Sequence, residues 1–77
     1  MRLDLVLKQS GLIKRRTIAK ELVERGHILI NDKASKPSSE VKSGDHLKLH
    51  LGMRNIEVII TYEQKGKREI PTFEEVK

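Results

Sequence analysis

Lys14-Arg15-Arg16-Thr17-Ile18-Ala19-Lys20-Glu21-Leu22-Val23-Glu24-Arg25, closed by Gly26, reads as one short amphipathic helix. At 3.6 residues per turn, Ile18, Ala19, Leu22 and Val23 fall on one side and are expected to pack, while Arg16, Thr17 and Lys20 run along the flank. Gly26 is the natural stop after the last periodic residue. The opening cations do not serve the helix. Its macrodipole favours anions at the N-terminus, and Lys14, Arg15 and Arg16 oppose it. An incoming phosphate would meet those side chains and the free first-turn N–H groups together. A basic triplet by itself is as often plain solvated surface. The rest of the chain moves the balance toward binding.

The 77 residues carry 16 Lys/Arg against 11 Asp/Glu, a net charge of +5. Residues 1–36 hold nine Lys/Arg and four Asp/Glu, and residues 37–77 hold seven of each, so the whole surplus sits in the first half. A one-sided positive field steers polyanions, and nucleic acid is the commonest. An anionic membrane is disfavoured as partner, because Tyr62 and Phe73 are the only aromatics and both lie far from the basic stretch. The length allows one domain with a thin core and no deep catalytic cleft. The lack of cysteine removes thiolate nucleophiles, disulfides and thiolate-held zinc. The start, Met1-Arg2-Leu3-Asp4, shows neither a secretory signal nor a membrane span, and a cytoplasmic location is expected.

Leu3, Val6 and Leu7 have helical spacing, with Gly11 as stop, and predict a first helix over residues 2–10. His27-Ile28-Leu29-Ile30 is strand-like and leads into an Asn31-Asp32 turn, with Lys33-Ala34-Ser35 returning. Lys36-Pro37-Ser38-Ser39 breaks regular structure, and Val41 anchors the loop. Leu47, Leu49 and Leu51 alternate inward against His46, Lys48 and His50, and a last strand is expected near Ile56–Tyr62. Ile59, between Val58 and Ile60, suggests a run buried on both faces. Polar residues 63–69 and Pro71 predict a loosely held tail. The order predicts an α+β fold, with two helices packed on one side of a small curled, antiparallel-rich sheet. That layout would let Arg2, the Lys14-to-Lys20 flank, Asn31 and Lys33 converge on one surface.

Arg2-Leu3-Asp4, Lys14 through Leu22, Gly26-His27-Ile28, Ile30-Asn31, Lys36 through Lys42 and Gly44-Asp45 together resemble the S-four-type, or alpha-L, RNA-binding domain family. The resemblance runs from Arg2 to about Leu51. It implies an RNA-binding domain over residues 1–62 with a polar tail over 63–77. The stand-alone size and the Leu12–Thr17 string most resemble the small bacterial ribosome-quality-control members, with a heat-shock-type ribosome-binding protein as nearest relative. This implies binding to rRNA and tRNA on stalled large subunits, as a monomer. A factor that adds a C-terminal alanine tail to the nascent chain would be a further partner. By position, the RNA-facing set is Arg2, Lys14, Arg15, Arg16, Thr17, Lys20 and Asn31, to which layout adds Lys33. Gly11 stands where close relatives often have arginine, and Asp32 where glycine usually follows the asparagine.

The expected mechanism is phosphate neutralisation by cations with orientation fixed by Thr17 and backbone N–H groups, reading shape more than sequence. Aromatic stacking platforms are disfavoured by the composition. Asp4 is expected to be structural, supporting the helix dipole or bracing an arginine, rather than catalytic. His46 and His50, with His27, do not suggest a metal site, since i, i+4 in a strand spans roughly 13 Å. No catalytic constellation, metal site or cofactor is expected, although the same domain occurs attached to RNA-modifying enzymes. The alternatives are a general ribosome or structured-RNA binding accessory of the heat-shock type, or a protein-interaction module with a merely solubilising basic half.

Overall fold

The computed structural model describes residues 1–76. Two helices, α1 (Leu3–Gln9) and α2 (Arg16–Glu24), precede five strands: β1 (Ile28–Ile30), β2 (Lys33–Ala34), β3 (His46–Leu51), β4 (Arg54–Lys65) and β5 (Arg68–Glu75). The strands form one antiparallel sheet in the order β2-β1-β3-β4-β5. This is the α+β arrangement that the residue pattern predicts.

Both helices are too short to persist alone in water, so packing holds them. Leu3, Val6 and Leu7 of α1 and Ala19 and Val23 of α2 are buried against Ile28, Leu47, Leu49, Val58 and Ile60 of the sheet. Each of these Leu, Ile and Val side chains contributes about 1.5–3 kcal/mol through its burial. Val41 plugs the core from the loop, and the Tyr62 hydroxyl donates to its carbonyl at 2.6 Å. In α2 the packing face is narrower than expected. Ile18 is 44% exposed, and α2 begins at Arg16, leaving Lys14 in the preceding turn and Arg15 as its extended cap residue.

The end of α2 shows why Gly26 is there. Its N–H donates to the Val23 carbonyl and the His27 N–H donates to Leu22, both at 3.0 Å, which closes the last turn with Gly26 at φ +80°. At the β1–β2 turn, Asn31 (φ +51°) and Asp32 (φ +65°) are both left-handed, as a two-residue hairpin of this handedness requires.

Three expectations are corrected. The last strand is much longer than residues 56–62, and the stretch read as a loose tail forms β5, paired with β4 from Val58↔Glu75 out to Lys65↔Arg68. Gly66, at φ +61°, takes the first position of the two-residue turn between them. Backbone pairing and the 2.7 Å Thr61–Thr72 hydroxyl contact make these polar residues a ribbon, which hydropathy alone does not reveal. Ile59 lies on the outer face and is half-buried, so the run is not sealed on both sides.

Candidate RNA-binding surface

Asp4 organises the site. It lies in the first turn of α1, is 1% exposed, and is the one buried charged side chain among the described residues. The Arg2 Nε–H donates to Oδ1 at 2.8 Å, and the Arg16 Nε–H donates to Oδ2 at 3.3 Å. The Leu5 N–H also donates to Oδ1, at 2.8 Å. Burial pushes the Asp4 carboxyl up. The hydrogen bonds and charges of Arg16 and Arg2 outweigh that and hold it below its ordinary value, so it is an anion at neutral pH.

Each arginine thus spends Nε on Asp4. The terminal nitrogens make no hydrogen bond among the described residues, and the side chains are 43% and 49% exposed. Two guanidiniums from different helices are thereby held side by side with forked donors free, the arrangement that suits phosphate oxygens. Arg2 is fixed further by its backbone. It caps α1 in extended conformation and pairs with Glu40, whose carboxylate accepts from the N-terminal ammonium at 2.7 Å. The Leu3 and Asp4 N–H groups donate to Ser39 and Pro37, which ties the 36–42 loop to the same corner.

Thr17 and Lys20 are exposed along α2, and Lys14 and Arg15 at its entry. The first turn of α2 contains no acid and no side-chain cap, so its leading N–H groups have no side-chain acceptor. The hairpin tip is built differently. The Asn31 amide donates to Asp45 Oδ1 at 3.2 Å and its Oδ1 accepts from the His46 N–H at 3.0 Å, so this side chain is committed to the turn. Lys33 pairs with Ile30 and therefore projects on the helix-covered face of the sheet. No hydrogen bond or ion pair among the described residues joins Asn31 or Lys33 to the Asp4 centre. Asp32, the extra anion of this turn, is taken up in an ion pair with Lys48. Sequence reading allowed that Asp4 might brace an arginine. That it braces two, Arg2 and Arg16, fourteen residues apart, has no local signal.

Two helices with a basic second helix, followed by a hairpin and a curled antiparallel sheet, define an RNA-binding module of alpha-L type. The chain belongs to the S4 domain family, whose model matches residues 1–47, from the N-terminus into β3. It is 47% identical over 73 residues to the RQC P-site tRNA stabilizing factor of Listeria innocua, covering 94% of this chain and 79% of that one. To the protein of the same name from Halalkalibacterium halodurans it is 47% identical over 79 residues, covering 100% and 90%. Among solved structures, the trimeric Heat Shock Protein 15 of Vibrio cholerae superposes with a TM-score of 0.81 at 27% identity, covering 99% of this chain and 81% of that one.

Proposed function

We propose that the chain is a non-catalytic RNA-binding factor of bacterial ribosome-associated quality control, which steadies tRNA at the P site. The Arg2–Asp4–Arg16 centre carries the proposal: a buried carboxylate holds two exposed guanidiniums through their Nε–H groups and leaves their terminal donors to meet phosphate. The names of the relatives at 47% identity supply the ribosomal setting. Arg2, Arg16, Lys14, Arg15 and Lys20 would neutralise phosphates, with Thr17 and the first-turn N–H groups of α2 fixing orientation. Lys33 would add a contact from the hairpin, and Asn31 would act mainly by holding that hairpin's shape. The RNA-binding unit read from the sequence, residues 1–62, is continued without a break by the rest of β4 and by β5, which belong to the same sheet.

More finely, the bound RNAs are large-subunit rRNA and P-site tRNA on stalled subunits, in the cytoplasm, and binding assists a factor that extends the nascent chain with alanine. The protein acts as a single copy, which light scattering of the free chain checks. No helix among the described residues is long and apolar enough to cross a membrane. The structural likeness to Heat Shock Protein 15 favours a second reading, a general binder of the ribosome or of structured RNA.

Sucrose-gradient fractionation of lysate carrying the tagged protein, with crosslinked RNA sequenced, separates these. Large-subunit fractions with both rRNA and tRNA crosslinks are expected. Crosslinks to rRNA alone favour the general binder, and protein left at the top without RNA makes it a protein-interaction module.

A further inference from the structure

The β4–β5 ribbon ends in three cations around one glycine: Lys65, Gly66, Lys67 and Arg68. Lys65 stands five residues beyond Ile60, the last fully buried residue of β4, or about 17 Å along the strand. In register, Lys65 lies directly opposite Arg68. Like charges directly opposite each other destabilise an antiparallel pair, so this placement works against the fold that carries it. Acids are at hand to relieve it. Glu63 shares the outer face two pairs inward, and Glu69 follows Arg68 on the other face. No ion pair among the described residues joins either to the tip, and all three cations are exposed.

The ribbon leaves the sheet beside the site already described. Glu69 and Tyr62 line one cleft with Met1, Glu40, Val41, Lys42 and Ser43, so its base adjoins the corner from which Arg2 projects. Of the two acids in that cleft, Glu40 is held by the N-terminal ammonium, and Glu69 makes no ion pair among the described residues.

We infer that the Lys65–Lys67–Arg68 tip is a second phosphate-contacting site. It grips the backbone of the same folded RNA that the Arg2–Arg16 centre holds, with the cleft between them. The inference rests on the RNA-binding reading above. Two separated cationic points on one folded domain, one in the helix layer and one at the tip of the ribbon, would fix the angle at which a structured RNA lies, as one point could not.

The test uses the full chain and fluorescently labelled unfractionated bacterial tRNA, with the dissociation constant measured across a KCl series. Four proteins are compared: wild type, Arg16→Ala, the tip triple K65Q/K67Q/R68Q, and the combination. The triple is expected to weaken binding about tenfold or more and to make the log–log salt slope shallower by roughly 2–3, at about 0.7–0.9 per phosphate. Its melting temperature should be equal to or above wild type, because a like-charge pair is removed. Its effect should add to that of Arg16→Ala, as for separate sites. Wild-type affinity and slope in the triple, with Arg16→Ala still weakened, overturns the tip site alone. Absence of tRNA binding by the wild type overturns both readings.

Discussion

At the level of single residues, the Asp4 carboxylate decides how the two arginines are presented, and its ionisation should be visible in stability. Its folded-state pKa is held down by Arg16 and Arg2 against the opposing effect of burial. The stability it contributes is therefore fully present above the ordinary carboxylate value of about 3.9 and is lost as pH falls through the lower folded value. Urea midpoints of wild type should be flat near neutrality and drop below about pH 4, while Asp4→Asn should start lower and change less over that range. An identical acid profile in the variant would show that Asp4 is not the group responsible. Arg16→Ala removes one forked donor and one of the two arginine partners of Asp4. It should weaken binding by about 1.5–3 kcal/mol, the range for hydrogen bonds to charged groups, while the protein still melts cooperatively. Lys20→Ala, which touches neither the core nor Asp4, should weaken RNA binding with melting unchanged. Wild-type affinity in both variants would dismiss this face. Ile18, exposed rather than packed, predicts the reverse pattern to a core position: Ile18→Ser should move stability by no more than about 0.5 kcal/mol, whereas Val23→Ala on the packed side of the same helix should cost well over that.

At the level of elements, α2 is held by its exit as much as by its packing. Gly26 has open space where a Cβ would go, so Gly26→Ala carries only the conformational penalty of a left-handed residue, about 1–2 kcal/mol. In a chain of this size that lowers Tm by roughly 4–16 °C, measurable by circular dichroism. A change below 2 °C would mean that the helix end relaxes freely. Asp32 illustrates how an element absorbs a residue that fits its turn poorly. It occupies a left-handed position that glycine fills more easily, and its charge would repel a phosphate if it stood alone. The ion pair with Lys48 of β3 takes up that charge and ties the hairpin to the neighbouring strand. The ribbon β4–β5 is the element that residue patterns concealed. Glu63 to Glu69 offer almost no apolar signal, and the pairing that orders them is made by backbone groups of β4.

For the whole molecule, the helical half and the loop at its edge gather cations, while the acids of β4 and β5 spread along the sheet. If four to six phosphates are contacted at the α2 surface, log affinity should fall against log salt with a slope of roughly −3 to −5. A flat response would remove the electrostatic account altogether. Reading the chain alone carried the fold class, the two helices, the first hairpin and the Leu47–Leu51 alternation. These are local patterns: periods of 3.6 and 2, glycine stops and a turn dipeptide, each written within a few neighbouring residues. The cations of α2 were equally legible, since a basic run at a helix start is a local anomaly. The joining of Arg2 to Arg16 through Asp4, the exposure of Ile18, the commitment of Asn31 to Asp45 and the extension of the sheet through β5 belong to the folded molecule. Asp4 meets Arg16 across 12 residues and Asn31 meets Asp45 across 14, the β4–β5 pairing reaches 17, and the exposure of Ile18 depends on which side of a helix meets the sheet; such geometry exists only once the core of Leu3, Leu7, Val23, Leu47 and Ile60 has closed.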